Sequence, residues 1–377
     1  MQYLKEFAAS VPEYRRTGKG NIKYKLEDML LLVILGRLSK CITRAEIILF
    51  GKHNLKKLQR AGFLLDGIPS ESTLCRLSQG IDDEAMGDRM AAFADVFRRE
   101  VPGTEAEIIC IDGKAMRGTE YGNGRNPDIV SAYSLRSGLT LATDICSEKS
   151  NEIKAVPRLL DKFDLRGCII TADAMSFQKA IIERIRQKGG DFVIEVKANQ
   201  RTLRYGLEDK IATATPTDIY REGPQLGHGR IETRTCRLFR GDDLIEDREK
   251  WNGNLTVIEI LTETCRKSNG QETSERRLYI SSVGSNSGQR QGRITRQHWL
   301  IESMHWGLDR NLLQDDIKRK SERAARNLDT VQRIVLALVS IWKNRRRKLA
   351  DKNKGTAEIL REISMSFTKV WHFLTQK

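Results

Sequence analysis

The chain has 377 residues, of which 39% are hydrophobic and 31% are charged, and its formal net charge at pH 7 is +15. This length allows two or three domains with cores of their own, and no apolar run approaches the roughly 20 residues that a membrane-spanning helix needs. The N-terminus lacks the basic and apolar segments of a secretion signal, and the seven cysteines form no CxxC pair. We therefore expect a cytoplasmic protein that does not associate with membranes.

Residues 1–100 predict an all-α N-terminal domain. The segment 26–40 has a thick apolar face, and two short helical pieces follow it over 43–63. A proline turn and serines suited to capping introduce a helix within 67–81, and Asp82 can cap the next helix. This arrangement is compatible with a helix-turn-helix reader of DNA and equally with simple helical packing.

Residues 101–200 alternate between strands and helices. Strands are predicted over 107–112, 129–134, 139–146, 167–173 and 191–200, and helices over 151–163 and 176–190. This order, β-β-β-α-β-α-β, is the one that RNase H-like nucleotidyl-transfer domains use. Asp112 and Asp173 end the first and fourth strands, and strand ends of this kind border the crevice where sites are built in open sheets.

Residues 201–290 carry further strand-like stretches, which we interpret as a β-rich insertion. The chain becomes helical again over 291–377, beginning with the stretch HWLIESMHWGLD. On one regular helix, its two histidines, Glu302 and Asp309 would share a face while aliphatic side chains pack on the other. The predicted fold class is therefore α/β, an RNase H-like catalytic domain with a β-rich insertion, preceded by an all-α N-terminal domain.

The positive charge is concentrated near the C-terminal end. Residues 318–354 contain 13 lysines or arginines and 3 acidic residues, and residues 343–348 carry five basic side chains without an acid. Such a stripe attracts polyanions, usually phosphate backbones, although scattered charges are also common on solvated helices. We predict DNA contacts at Arg345, Arg346 and Arg347.

Three carboxylates together suggest a metal site: Asp112, Asp173 and Glu302. Oxygen ligands suit Mg²⁺ or Mn²⁺, and two such ions about 3.5–4 Å apart can stabilise the attacking and leaving oxygens of phosphoryl transfer. Polar side chains are common at strand ends in proteins that do not bind DNA. Those that flank the predicted site are nevertheless candidate DNA contacts. They are Lys114, Arg117, Lys197, Asn199 and Gln200.

Characteristic motifs occur over most of the chain, among them ICIDGKAMRGT, EKSNEIKAVPRLL, IITADAM, QKGGDFVIEVKANQ and HWLIESMHWGLD. With them, the chain closely resembles the H-repeat-associated insertion-sequence transposases, a group of bacterial DDE transposases. The resemblance implies a DNA transposase that cuts element ends and joins 3′-hydroxyls to target DNA, with Asp112, Asp173 and Glu302 as its acidic triad. It also implies terminal inverted repeats and target DNA as partners, and a homodimer that holds two ends.

The stretch around Glu302 departs from a pattern seen in related cut-and-paste transposases. Those proteins tend to have a Tyr, an Arg four residues before the Glu and a Lys seven residues after it, whereas this chain has Thr295, His298 and Asp309. The DNA contacts of that Arg and Lys therefore do not carry over. His298 is a candidate replacement, as a proton-linked phosphate contact.

Two alternative interpretations give these acidic residues either a different catalytic role or none. Asp173 followed by Glu195 and Lys197 imitates the D…ExK constellation of restriction-like metal-dependent nucleases. A catalytically inactive transposase remnant would instead keep the basic surfaces and bind DNA without cutting it.

A zinc site formed by His298, Glu302 and His305 is a further alternative. The spacing HxxxExxH differs from the HExxH of metalloproteases, and no nearby cysteine completes a ligand set. The sequence therefore favours this alternative least.

Overall fold

Two structural units, each assembled from separate stretches of the chain, make up the computed structural model. The described residues are 1–20, 22–119, 126–146, 152–173, 178–197, 200–227, 229–245, 254–346 and 348–375. The first unit comprises residues 1–102, 113–149 and 302–377, and the second comprises residues 103–112 and 150–301. No helix in the described part of the chain is long and apolar enough to cross a membrane.

The first unit is mainly helical, with one β-hairpin. Its N-terminal helices are α1 (Gln2–Ser10), α2 (Leu26–Leu38), α3 (Arg44–Arg60), α4 (Glu71–Gly80) and α5 (Asp83–Arg98). The hairpin strands β2 (Asp128–Ser134) and β3 (Leu139–Cys146) pair antiparallel. Its C-terminal helices are α12 (Glu322–Asn344), α13 (Leu349–Asn353), α14 (Thr356–Ser364) and α15 (Phe367–Thr375).

Helix capping explains where the N-terminal helices begin. Thr43 and Glu46 form a capping box at α3, the Ser70 hydroxyl accepts a hydrogen bond at α4, and the Asp82 carboxylate accepts one at α5. The predicted helices within 26–40 and 67–81 and the cap at Asp82 are confirmed. The prediction of two short pieces over 43–63 is wrong, because the capping box starts one 17-residue helix that runs through them.

Helix α12 forms the centre of the first unit. It packs against α2, α4, α5 and β3, and most of its length is buried. Aliphatic side chains such as Ile334 and Val335 are fully covered, and each such side chain contributes roughly 1.5–3 kcal/mol through the hydrophobic effect. Within the predicted C-terminal helical segment, α12 is therefore largely an interior element, whereas α13 has no buried residue.

The second unit is built on a twisted sheet. Its strands are β1 (Glu107–Ala115, of which residues 107–112 belong to this unit), β4 (Cys168–Ala172), β5 (Asp191–Val196), β6 (Asp218–Gly227), β7 (Arg230–Arg240), β8 (Thr256–Arg266) and β9 (Glu272–Ser281). Its helices are α6 (Glu152–Asp161), α7 (Lys179–Gln187), α8 (Arg201–Thr213), α9 (Gly241–Leu244) and α10 (Gly288–Gln297). The strand order is β1-β4-β5-β9-β8-β7-β6.

Parallel and antiparallel pairing divide this sheet into two parts. Strands β1, β4 and β5 are parallel, and β9 joins β5 antiparallel, so the strands of the predicted β-rich region extend the same sheet. Helix α10 packs on β6, β7 and β8 through a core that includes Ile294, Leu238 and Ile258. The sequence did not predict β6 or α8.

The helical stretch that carries Glu302 is irregular, contrary to the expectation of one regular helix. Helix α10 ends at Gln297, a turn follows at residues 298–299, and α11 (Leu300–Trp306) leads into a π-helix (Gly307–Asn311). The turn and the wider π-helical turn break the angle of about 100° per residue. The prediction that His298 and Asp309 share one helical face with Glu302 is therefore wrong.

A buried ion pair links neighbouring parts of the first unit. Arg333 Nε donates to Asp329 Oδ2 at 2.7 Å, and their side chains are only 1% and 2% exposed. Gln314 Nε2 donates to Asp329 Oδ1 at 2.9 Å, and Arg333 Nη1 donates to Thr140 Oγ1 at 3.3 Å. This network ties α12 to the loop before it and to β3.

We expect Asp329→Asn to lower the free energy of unfolding by about 3 kcal/mol, because it leaves the Arg333 charge buried without a counterion. The double variant Asp329→Leu, Arg333→Met should lose less stability than the single variant, since it buries no charge. Urea unfolding followed by circular dichroism measures both. Asp95→Asn, which removes an exposed pair with Arg99, is the matched control and should cost less than about 1 kcal/mol. Equal losses in the single and double variants would contradict this account.

Candidate active site

Two acids, Asp112 and Asp173, lie next to each other where the pairing of β1 with β4 ends. Asp173 directly follows β4, but Asp112 lies inside β1, which continues to Ala115, so the prediction that Asp112 ends its strand is wrong. Ile111 is the register partner of Ala172, and Asp112 and Asp173 are the residues that follow them. Adjacent strands are about 4.8 Å apart, so the two half-buried carboxyl groups are close neighbours. The parallel pairing thus brings together residues that are separated by 61 positions in the chain (173 − 112 = 61).

The two oxygens of Asp173 have different environments. Oδ2 accepts a hydrogen bond from Lys197 Nζ at 2.8 Å, whereas Oδ1 is buried and has no hydrogen-bond partner in the part of the chain that the structure describes. An unpaired buried acceptor is costly, and an acceptor beside a second carboxylate suits a hard cation such as Mg²⁺. Asp112 and Asp173 therefore fit a metal site chemically.

Lys197 lies between Asp173 and a third acid, Glu195. Its Nζ is 3.5 Å from Glu195 Oε2, and the Glu195 side chain is almost fully covered. Burial raises the pKa of Glu195, and Lys197 opposes that rise. Burial alone would lower the pKa of Lys197, but the hydrogen bond to Asp173 and the charge of Glu195 raise it overall. The positive charge of Lys197 thus offsets the negative charges of Asp173, which directly follows β4, and Glu195, which lies on β5.

His298 is anchored to the strand that carries Asp173. Its Nδ1 lies 3.0 Å from the hydroxyl oxygen of Thr171, which is buried on β4. Burial lowers the pKa of His298 to about 4, with a smaller opposing effect of Asp173. A neutral imidazole in this position fixes the turn at residues 298–299, and Glu302 follows four residues later on α11 with an exposed side chain.

Lys114 and Asp309 form a buried ion pair within the first unit. Lys114 Nζ lies 2.7 Å from Asp309 Oδ1 and 3.1 Å from Asp315 Oδ1, and the lysine side chain is 7% exposed. Burial raises the pKa of Asp309, and the hydrogen bond from Lys114 opposes that rise. Because the Lys114 ammonium group already has two carboxylate partners, this geometry does not favour the predicted contact with DNA.

The remaining candidate contacts lie in varied environments. Arg117 is exposed, and Gln200 is half-buried where α8 begins. Arg345 pairs with Glu100 at 2.9 Å, and Arg346 stacks on an aromatic ring of α12. Two predicted contacts, Asn199 and Arg347, lie outside the described residues.

Among the residues with described positions, no group of three or more His, Cys, Asp or Glu side chains is arranged to hold a metal ion. This finding applies to the zinc alternative and equally to the triad of Asp112, Asp173 and Glu302. His305, one of the zinc candidates, is a half-buried imidazole. Burial, then the charges of Arg333 and Lys114, lower its pKa to about 3.

Sequence reasoning missed two polar residues of this region. Asp315 shares Lys114 with Asp309, and its only signal was the acidic pair at 315–316 that follows the helical stretch. Thr171, which binds His298, occupies a strand interior and gave no signal at all. Side-chain pairs between distant segments require the fold before they can be identified.

Lys114→Met should lower the free energy of unfolding by about 1–3 kcal/mol, because it leaves two partly buried carboxylates next to each other. The loss should become smaller as the pH falls and the carboxylates take up protons. Urea unfolding at pH 7 and pH 5 measures this. Lys318→Met, which changes an exposed lysine, is the control and should leave stability nearly unchanged. A Lys114→Met variant as stable as the wild type would contradict the ion-pair assignment.

His298 should make the protein sensitive to acid in metal-free buffer. The unfolded chain protonates this imidazole near its ordinary pKa of 6.5, whereas the folded protein does so only near 4. Stability is therefore full above pH 6.5 and falls as the pH approaches 4. We expect His298→Asn to reduce the stability loss between pH 7 and pH 5 by about 1–2 kcal/mol, measured by urea unfolding at both values. The exposed His53, changed to Asn, is the control; equal losses in wild type and His298→Asn would exclude this titration.

Comparisons with known proteins find similarity to transposases over nearly the whole chain. The family described as "Transposase DDE domain" matches residues 103–338, and a second, described as "DDE_Tnp_1-associated", matches residues 5–94. "Putative transposase YncI" of Escherichia coli O157:H7 is 31% identical over 95% of this chain and 92% of its own. "H repeat-associated putative transposase YhhI" of Escherichia coli K12 is 30% identical over 90% of this chain and 91% of its own length.

Among solved structures, a piggyBac transposase synaptic complex with hairpin DNA matches with a TM-score of 0.47 and 10% identity, over 100% of this chain and 81% of that one. The family match to residues 103–338 covers more than half of the chain and includes Asp112, Asp173 and Glu302. The chain therefore belongs to the family of transposases with a DDE domain.

Proposed function

We propose that the protein is the DNA transposase of a bacterial insertion sequence, which cleaves the element ends and transfers their 3′-hydroxyls to target DNA. The observation that carries this proposal is the pairing of β1 with β4, which sets Asp112 beside Asp173. Family membership supports the same chemistry, since DDE domains generally use divalent metal ions. We further propose an RNase H-like catalytic fold, for which the parallel strands β1, β4 and β5 and the helices between them are the support.

Asp112 and Asp173 would hold the divalent ion, Mg²⁺ or Mn²⁺, and Glu302 is the third carboxylate that the sequence assigns. Mg²⁺ is usually bound by one or two protein carboxylates together with water and substrate phosphates. Two neighbouring acids are thus a sufficient protein contribution before DNA binds. When bound, such ions, which we propose to be two, would activate the attacking hydroxyl and stabilise the leaving 3′ oxygen.

The protein's own residues would orient the phosphate for in-line attack. Lys197 can exchange its contact with Asp173 for a phosphate oxygen of DNA, because its ammonium group is more than a third exposed. His298 holds the turn that precedes α11 through Thr171. Exposed Arg117 and half-buried Gln200 are proposed to contact the DNA backbone. From the resemblance to insertion-sequence transposases, we also propose that two copies of the chain form a homodimer that binds two terminal inverted repeats.

A second candidate is a restriction-like metal-dependent nuclease. The observation that favours it is the contact of Lys197 with both Asp173 and Glu195, which is the grouping that a D…ExK site requires. This candidate gives no role to Asp112, although Asp112 lies beside Asp173 on the neighbouring strand. The transposase proposal uses both aspartates and is therefore preferred.

The experiment is Mg²⁺-dependent cleavage of DNA carrying the terminal inverted repeats that flank the gene. Asp112→Asn, Asp173→Asn and Glu302→Gln should each reduce cleavage by at least about 100-fold, because each removes a proposed metal ligand. DNA binding, measured in parallel by fluorescence anisotropy, should persist in all three variants. Asp316→Asn, which changes an exposed acid beyond the π-helix, is the matched control and should cleave normally.

The same assay separates the alternatives. If Glu195→Gln abolishes cleavage while Glu302→Gln cleaves normally, the restriction-like nuclease is correct and the transposase assignment of Glu302 fails. If the wild type binds the repeats but neither nicks nor joins them in Mg²⁺ or Mn²⁺, the protein is an inactive DNA-binding remnant.

A further inference from the structure

A cavity in the first unit combines aliphatic walls with three arginines. It has a cavity volume of about 50 Å³ and lies among α2, α3, α4 and α12. Leu30, Val33, Ile47 and Leu74 form part of the wall, and Arg37, Arg44 and Arg319 line the same space. This volume is well below the roughly 300–1,000 Å³ of sites for drug-sized molecules, so the cavity has room for a small group rather than for a whole organic ligand.

Arg37 is the deepest of these arginines and is incompletely paired. Its side chain is 3% exposed, and Nη1 donates to the Cys41 carbonyl oxygen at 3.2 Å. Its Nε is buried and has no acceptor among the described residues, and the same holds for Nε of Arg319. A guanidinium group carries five N–H donors, and a buried donor without a partner destabilises the folded state.

No described acid neutralises this cluster by a direct ion pair. Burial, followed by the charge of Arg319, lowers the pKa of Arg37 to about 10, and smaller effects of Cys41 and Glu46 oppose this shift. Burial, followed by the charge of Arg44, lowers the pKa of Arg319. The three cations therefore repel one another. Arg333, which is equally buried in the same unit, differs in having Asp329 as its counterion.

Backbone contacts hold Arg319 in place. Its N–H donates to the Gly118 carbonyl oxygen at 3.0 Å, next to a bridge between residues 119 and 319. A Cβ at position 118 would come within 2.7 Å of the Ile317 carbonyl oxygen, so this close approach requires glycine. The guanidinium group of Arg319 thus extends from a fixed backbone, as a preorganised binding group would.

We infer that Arg37, Arg44 and Arg319 form a binding site for a phosphate group. Guanidinium groups bind phosphate with paired, charge-assisted hydrogen bonds, which would satisfy the unpaired donors and neutralise the cluster. The phosphate can come from a free phosphate ester or from the backbone of DNA. The site lies apart from Asp112 and Asp173 in the chain, and the inference does not depend on the proposed catalytic function.

The first test measures thermal unfolding of the full chain with inorganic phosphate against chloride at equal ionic strength. Phosphate should raise the melting temperature of the wild type, because a ligand that binds only the folded state stabilises it. Arg37→Met should remove this response while leaving the phosphate-free protein at least as stable as the wild type, since it removes a buried unpaired charge. A purely structural arginine would instead lower the stability of that phosphate-free variant.

A second variant keeps the test decisive if Arg37→Met does not fold. Arg319→Gln, at a less buried position, should weaken phosphate binding by about tenfold or more in calorimetric titration. Arg60→Gln, on the same helix as Arg44 but exposed at its far end, should bind phosphate like the wild type. Equal phosphate responses in the wild type, Arg319→Gln and Arg37→Met, or no response in the wild type, would overturn the inference.

Binding of a duplex of arbitrary sequence, measured by anisotropy, identifies the source of the phosphate. If DNA supplies it, inorganic phosphate will compete with the duplex beyond the effect of ionic strength, and Arg319→Gln will weaken DNA binding. If a free phosphate ester supplies it, Arg319→Gln will lose phosphate binding and keep its affinity for DNA. Both results support the phosphate site. Asp112→Asn and Asp173→Asn should retain phosphate binding, so a failure of the catalytic proposal would be recognised separately.

Discussion

The parallel pairing of β1 with β4 is the constraint on which the candidate active site depends. It brings Asp112 level with Asp173, and the parallel pairing of β4 with β5 adds Glu195 and Lys197 at the same edge. Carboxylates on neighbouring strands repel each other, and burial makes that repulsion stronger. Lys197 offsets it by contacting Asp173 and Glu195. A divalent ion held by the two aspartates would offset it further, which connects the stability of this edge with the chemistry proposed for it.

The first unit distributes its buried charges in two ways. Arg333 and Lys114 each have carboxylate partners, so their pairs can stabilise particular contacts between segments. Arg37, which is buried, and Arg319, which is half-buried with its Nε covered, have no ion-pair partner among the described residues. Since a buried charge without a counterion is costly, the second arrangement is retained only at a cost to folding. That contrast is why the cavity is interpreted as a binding site and the other networks as structural.

Much of the fold could be predicted from local sequence patterns, and the exceptions have identifiable causes. Strands β1, β4 and β5 were predicted because their apolar runs end at polar or glycine-containing segments. Strand β6 was missed because it lies at the sheet edge, is largely exposed and contains a register shift around Pro224. Asp173 could be predicted as a strand-end acid, whereas β1 continues to Ala115 beyond Asp112, and no sequence signal indicated the unpaired oxygen of Asp173. That feature depends on packing between residues distant in the chain.

The departures around Glu302 acquire a physical explanation from these contacts. Related transposases tend to have a lysine at the position of Asp309, and here Asp309 instead forms an ion pair with Lys114, which follows Asp112 by two residues. The positive charge beside the π-helix is therefore that of Lys114, which lies on β1. Similarly, His298 occupies the place of an arginine and bonds to Thr171. Both side chains have partners within the protein. We therefore assign the proposed DNA contacts to other residues. One of them is Arg117, which is exposed and follows Asp112 closely in the sequence.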